Sequence, residues 1–449
     1  MESRDLNFAD RIRELLEAGQ TEALGELLGD LPPQEIEDSL EDLENEQRKA
    51  ILDILAPEVA GEVFGGLDDV VQEEVADLLS NEEIAELVEE MDSDEAADTV
   101  RLLEPEEQVQ VLELLEDETE EELRELLKHE EDTAGDLMMA ELAAIHEDAL
   151  VAEAIEHLRD HQDDIRELYN VYLVDDARRL RGSLSLRDMV LARPGMPMKA
   201  FMDPDPVRAT PDMDQEEVAL LFRKFDLVSL PVVDAEGTLV GRITVDDIMD
   251  VMEEEATEDL SRFAGVSELS FRPGRIFRVS RARLPWLLLG LLGGLASGRI
   301  LQGFEVALTE VLELAFFVPV IMALAGNIGI QSSTIVVRGM ATGEIREGET
   351  RRLIAREAGV SLINGFVIMI ITYLAVWLWL GQPVLATVVA VSMMSVVLWA
   401  TFTGTFIPIA LGRMGQDPAY ATGPFVTTTN DIVALAIYLL IAWRLRDFL

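Results

Sequence analysis

Cysteine is missing from the 449-residue chain. That removes disulfide frameworks, thiolate chemistry and zinc–thiolate sites from consideration. Lysine is nearly missing: Lys49, Lys128, Lys199 and Lys224 are the whole complement, and the other 31 of 35 basic residues are Arg. Histidine is held to 4 residues and aromatics to 6%. Positive charge is scarce overall, since 87 Asp and Glu leave a formal net charge of −52. Such a field repels phosphate backbones, so no nucleic-acid partner is expected. The opening MESRDLNFAD holds no apolar stretch, which predicts no cleavable leader.

Against these scarcities, 49% of the residues are hydrophobic, a share compatible with such acidity only if the two are segregated. Of the 87 acids only 10 follow residue 270, against 14 of the 35 bases, so residues 1–270 carry −56 and the remainder +4. An acidic half precedes a nearly neutral apolar half. Acidity with little Lys fits salt adaptation, and it equally fits a reservoir of hard oxygen ligands for divalent cations.

Five segments of the second half, near 284–304, 314–337, 358–380, 383–411 and 419–443, are long and apolar enough to span about 30 Å of hydrocarbon as helices. Arg272, Arg275, Arg278, Arg281 and Arg283 precede the first; Arg346, Arg351, Arg352 and Arg356 separate the second from the third; Arg413 precedes the fifth. This bias predicts a multi-pass protein of the cell membrane with its acidic half in the cytoplasm and its C-terminus outside. Polar groups inside spans are costly unless they face a lumen or a partner. Asp431, within Gly-Pro-Phe-Val-Thr-Thr-Thr-Asn-Asp (423–431), is the single acid of the last span, with Thr427, Thr428 and Asn430 beside it. It reads either as a lumen carboxylate or as an interhelical hydrogen-bonding group. In the second span, Gly326-Asn327-Ile328-Gly329-Ile330-Gln331-Ser332-Ser333 interrupts the apolar run, and Asn327 and Gln331 read as lumen-lining. Glu310 and Glu313 fall at the outer mouth, as cation attractors or as a solvated helix end. Carboxylate, amide and hydroxyl oxygens without His or Cys suit a hard cation, and Mg²⁺ keeps several waters when one or two carboxylates contact it.

Residues 10–130 read as consecutive short amphipathic helices with breaks at Gly29–Pro33 and Pro57, which predicts stacked helical pairs in a superhelical array. The acidic run 116–125 reads as a solvated face, and Asp92, in Met91–Asp98, as a helix N-cap. From about 133 the pattern alternates strand and helix. Val171–Asp175 with Leu180–Asp188 returns as Leu230–Asp234 with Leu239–Asp247, an internal duplication of roughly 60 residues. The two copies resemble a tandem pair of CBS domains. In such pairs the motif Gly-x-x-[Ser/Thr]-x-x-Asp often holds an adenosine ribose; here it places Ser185 with Asp188 and Thr244 with Asp247, which equally fit as helix caps. His157 and His161, four apart, read as a surface pair rather than a metal site. Much of the acidic stretch 246–268 is expected to form one connecting helix, where crowded like charges repel until salt or divalent cations screen them.

The order of these parts, ending in Pro-Phe-Val-Thr-Thr-Thr-Asn-Asp-Ile, closely resembles the MgtE family of magnesium channels over essentially the whole chain. The resemblance implies a multidomain membrane protein. Its parts would be an all-α superhelical N-terminal domain (1–130), an α/β tandem CBS pair (131–250), an acidic connecting helix with a basic linker (251–283) and an all-α membrane domain of five helices (284–449). It implies a homodimer in the lipid bilayer, Mg²⁺ as substrate and regulator, a hydrated ion at Asp431, and ATP as a candidate ligand of the CBS pair. It further implies that cytosolic Mg²⁺ closes the pore by bridging Asp92, Asp94, Asp214, Glu216, Asp226, Asp246, Asp247, Asp250, Glu255, Glu258 and Asp259. One departure is Ile330, where many members carry Asn. No nucleophile–base pairing or phosphate loop occurs, so no enzyme is expected. The rival reading is a CBS-regulated secondary carrier of a divalent cation coupled to Na⁺ or H⁺.

Overall fold

A computed structural model describes residues 2–41, 43–161, 168–264, 276–341, 345, 350–414, 418–421 and 423–448. The chain forms two compact units, 1–251 and 252–449.

The first unit opens with ten short helices. They are α1 (Glu2–Glu17), α2 (Thr21–Gly29), α3 (Pro33–Glu41), α4 (Asn45–Leu52), α5 (Pro57–Gly65), α6 (Asp69–Ala76), α7 (Asn81–Val88), α8 (Ser93–Leu102), α9 (Pro105–Leu112) and α10 (Asp117–Leu126). Pro33, Pro57 and Pro105 each occupy a first helical position, where the missing N–H costs nothing. Helices this short are marginal alone and hold only because each buries its apolar stripe on a neighbour. Odd-numbered helices stack in one row, α1 on α3, α3 on α5, α5 on α7 and α7 on α9; α4, α6, α8 and α10 make the other. This two-row stack is the array of short helices expected from the sequence, and Ile36, Val63, Phe64, Ile84, Val100 and Leu123 belong to its buried apolar core.

The alternating segment follows as β1 (Ala144–His146), α11 (Val151–Asp160), β2 (Asn170–Val174), β3 (Leu180–Ser185), α12 (Leu186–Leu191), α13 (Gln215–Phe225), β4 (Ser229–Val233), β5 (Leu239–Thr244) and α14 (Val245–Ala264). Strands β2 and β3 pair antiparallel, with β1 parallel on the outside of β2, and β4 pairs antiparallel with β5. The two copies meet through their hairpin loops: the Leu180 N–H donates to Gly237 O at 3.0 Å and the Leu239 N–H donates to Arg178 O at 3.0 Å. Buried Tyr172 and Ser229 join hydroxyl to hydroxyl at 2.6 Å.

The second unit holds α15 (Ile276–Gly303), α16 (Glu305–Glu310), a 3₁₀ turn (Leu312–Phe317), α17 (Val318–Ala341), α18 (Thr350–Leu380), α19 (Pro383–Arg413), a second 3₁₀ turn (Pro418–Ala421) and α20 (Pro424–Arg444). Five helical stretches are long and apolar enough to cross a membrane: Val279–Gly303, Leu312–Met340, Thr350–Leu380, Pro383–Arg413 and Pro424–Arg444. Two boundaries differ from the sequence expectation. The helix that carries the third span begins at Thr350, ahead of the 358 read from the sequence, so Glu357 lies two turns into that helix. The last begins at Pro424 rather than 419, because Gly423 takes φ +58°, a backbone that favours glycine and turns the chain sharply before the helix. Helix α19 is the most buried of the five, packing on α17, α18 and α20.

Candidate functional site

Asp431 lies two turns into α20, about 10 Å from Pro424 along the axis. It is partly exposed and faces Gly326 of α17, where an added Cβ would stand 3.8 Å from Asp431 Oδ1 and 3.1 Å from Thr427 Cγ2. Small residues let the helices close up around this segment: a methyl at Gly293 would collide with Thr428, and one at Gly329 with Asn430. The Thr427 hydroxyl donates to Gly423 O at 2.9 Å, so its proton is committed to its own helix. Asn430 is fully buried and accepts from Thr403 Oγ1 of α19 at 2.7 Å. Of the oxygens named from the last span, those of the Asp431 carboxylate are the charged ones, and that side chain is partly exposed.

Asn327 and Gln331 stand one turn apart on α17 and are exposed. They line a cavity of about 410 Å³ together with Ser332, Glu357, Ser361, Asn364 and Thr401, and Asp431 is not among its walls. Sequence reasoning missed Glu357 because a third span read from 358 starts at the residue after it. The available signal was a polar stripe at i, i+4 and i+7 (Glu357, Ser361, Asn364) on an otherwise apolar helix.

In the first unit and the helix that leaves it, the acids divide sharply. Asp94, in the first turn of α8, is 7% exposed, and its Oδ1 has no hydrogen-bond partner among the described residues. Burial raises its pKa well above the usual carboxylate range, and the charges of Asp247, Glu95 and Glu141 push the same way. Asp247 is pushed up to about 6, first by burial and then by Asp246 and Asp250, against hydrogen bonds from Thr244 that lower it. Ser93, beside Asp94, ties α8 to the chain entering β1: its hydroxyl donates to Glu141 Oε2 at 2.7 Å and accepts the Ala140 N–H at 2.8 Å. The packing thus draws Asp94 and Asp247, 153 positions apart, into one acidic cluster. Two ionised carboxylates in such a place repel and lose hydration unless a proton or cation joins them.

The other predicted acids are surface groups. Asp92 occupies the N-cap position of α8, yet its side chain makes no capping bond. Asp214 caps α13 by accepting the Glu216 N–H at 2.9 Å, and Asp226 ends the same helix at φ 52°. Asp246 and Asp250 are exposed on α14. Glu255 is partly exposed, and Glu258 pairs with Arg262. The Asp259 side chain lies outside the described residues. No group of three or more His, Asp or Glu is gathered closely enough to cage a bare metal ion among the described residues.

Both hydroxyl–acid pairs of the duplicated motif are engaged at helix starts. Ser185 Oγ donates to Asp188 Oδ2 at 2.8 Å and accepts the Asp188 N–H at 3.1 Å. Asp247 Oδ2 accepts from Thr244 N at 3.1 Å and Thr244 Oγ1 at 2.8 Å. His157 of α11 and His161, the residue that ends it, are exposed and meet with ring centroids 4.3 Å apart.

Comparison with known proteins gives consistent matches. Residues 318–441 match the MgtE family described as a divalent cation transporter, residues 31–132 match the MgtE intracellular N domain, and residues 134–195 and 198–254 match CBS domains. The magnesium transporter MgtE of Thermus thermophilus is 37% identical over 98% of this chain and 99% of its own length. That of Bacillus subtilis is 37% identical over 69% of each. The solved cytosolic domain of the Mg²⁺ channel MgtE in complex with ATP, 37% identical, aligns with 54% of this chain and 99% of its own at a TM-score of 0.52.

Proposed function

The chain belongs to the MgtE family of divalent cation transporters, and on that premise we propose that it is a homodimeric Mg²⁺ channel of the cell membrane, shut from the cytoplasmic side when Mg²⁺ is plentiful. The substrate is the hydrated ion, held at Asp431 in a pore built around α17 and α20. A single carboxylate per subunit suits it, because Mg²⁺ surrenders water reluctantly and is usually held by one or two carboxylates. Five spans place the C-terminus outside when the acidic half is cytoplasmic.

The observation that carries the gating reading is the buried Asp94 carboxylate with an unpartnered oxygen against Asp247. At low Mg²⁺ these charges, with those crowded along α14, oppose the packed form of the acidic unit. At high Mg²⁺ hydrated ions bridge them, together with the Asp214, Glu216, Asp226, Asp250, Glu255 and Glu258 carboxylates. A ligand shifts a population only through differential affinity, which many weak sites present in the packed form supply. Each adds roughly 0.4 kcal/mol when the ion concentration equals its Kd, so about ten exceed 4 kcal/mol and make closure steep. The duplicated hydroxyl–acid pairs are the candidate contacts for an adenosine nucleotide such as ATP; Asp247 would then serve both the nucleotide and the acidic pocket.

Mg²⁺ current across bilayers, recorded while cytosolic Mg²⁺ is stepped from micromolar to millimolar, tests both parts. Wild-type current should shut as Mg²⁺ rises, and Asp431→Ala should carry none. Slow uptake coupled to Na⁺ or H⁺, without current, would replace the channel with the carrier.

A further inference from the structure

Glu357 is an acid the transport reading leaves unused. It lies two turns into α18, about 10 Å along the helix, the same distance at which Asp431 follows the start of α20. Its residue is 7% exposed. Among the described residues no Lys, Arg or His nitrogen lies within 4.0 Å of it and no group donates a hydrogen bond to it, although Arg351, Arg352 and Arg356 precede it on the same helix. A carboxylate buried among packed helices without a partner costs several kcal/mol. Such a residue therefore marks something that compensates its charge.

The compensation is written in what faces it. Glu357 opens into the cavity of about 410 Å³ shared with Asn327 and Gln331 of α17, Ser361 and Asn364 of its own helix, and Thr401 of α19. At about 30 Å³ per water this volume holds roughly a dozen waters. The amides supply three carbonyl oxygens. The Ser361 hydroxyl hands its proton to Ala358 O at 3.0 Å, which leaves its lone pairs for the cavity. One charge, several neutral oxygens and ample water make poor surroundings for a bare soft metal but suit a hard cation that keeps its hydration shell.

We propose that Glu357, Asn327, Gln331 and Asn364 form a second intramembrane site for a hydrated divalent cation, on the α18 side of α17 and separate from Asp431. The inference rests on the reading of the chain as a Mg²⁺ channel. It gives the amides of the second span a role beside Glu357 rather than beside Asp431. An ion entering or leaving Asp431 would then have a neighbouring station, so that repulsion between the two ions speeds release.

The test is carbodiimide footprinting of the full-length protein in lipid nanodiscs. Dicyclohexylcarbodiimide adds to carboxyl groups shielded from bulk water, and the peptides carrying Glu357 and Asp431 are quantified separately by mass spectrometry. Samples in choline chloride, NaCl or MgCl₂ are compared at one pH and one ionic strength. Glu357 should react in choline and in Na⁺. Mg²⁺ at ten times its Kd should cut the reaction about elevenfold, the factor 1 + [L]/Kd. Protection should survive Asp431→Asn. Equal labelling with and without Mg²⁺ overturns the site, as does a Glu357 that never reacts. Equal protection by Na⁺ makes it a monovalent site, and protection lost in Asp431→Asn merges it with the pore; both overturn the proposal. Failure of the channel reading itself would appear elsewhere in the same digests, as an Asp431 peptide that Mg²⁺ does not protect.

Discussion

Replacing Asp247 by Asn removes one of two charges that the packed cytoplasmic unit solvates poorly, while leaving an oxygen to accept from Thr244 N and Oγ1, now at 3.1 and 2.8 Å. Packing moves the Asp247 pKa from 3.8 to about 6. A shift of roughly two units corresponds to about 3 kcal/mol by which the packed form is weakened at neutral pH. Asp247 is partly exposed, so solvent screening reduces this to about half at the lower bound. The variant should stabilise the packed form in Mg²⁺-free buffer by about 1.5–3 kcal/mol, a factor of roughly ten to a hundred in the open population. Tryptic cleavage after Arg101 reads that population, because the guanidinium is 15% exposed where it pairs with Asp136. Cleavage of the Asp247→Asn protein without Mg²⁺ should slow by that factor, and added Mg²⁺ should protect it less than it protects wild type. Unchanged or faster cleavage, with Mg²⁺ protection undiminished, would refute the repulsion argument.

Protons should substitute for Mg²⁺ at the same pocket. Asp94 and Asp247 are both raised above their unfolded values, so the packed form binds more protons than the opened one between the two sets of values. For Asp247 its stability therefore falls as pH rises through about 4 to 6, and burial of Asp94 acts in the same direction; the Mg²⁺ concentration giving half-protection of Arg101 should drop as pH is lowered from 6 to 5, and a requirement that rises instead would contradict the assignment. Within the membrane unit, Gly404→Ala places a Cβ 2.6 Å from the Gly329 carbonyl oxygen, a backbone atom with little freedom to yield, and should cost about 1–3 kcal/mol. Thr403→Val removes the proton donated to buried Asn430 and should cost about 1–3 kcal/mol by leaving that amide oxygen unpaired. Both are read as lowered thermal midpoints in detergent, and an unchanged midpoint in either would remove the α17–α19–α20 packing account.

Much was determined by the sequence alone. Bilayer thickness demands long apolar runs, so five spans, their sidedness bias and the exceptional character of Asp431 are visible as composition along a line. The duplicated strand pairs are visible because a repeat needs no knowledge of contacts. So is the row of short acidic helices, whose breaks fall at prolines that the structure uses as first helical residues. What only the tertiary structure decided is which oxygens remain unspent. Thr427, Asn430 and Asp431 look alike in the chain, but Asn430 is bound to Thr403 and Thr427 to its own helix. Asp92 and Asp94 also look alike, yet α8 packs so that Asp94 is the one sealed against Asp247. Glu357 stands just before the third span as read from the sequence, next to Arg356, and only the packing of α18 places it in one cavity with Asn327. The physical reason is common to all three: a carboxylate's chemistry depends on how much water and which dipoles surround it, and these are set by residues far away in the chain.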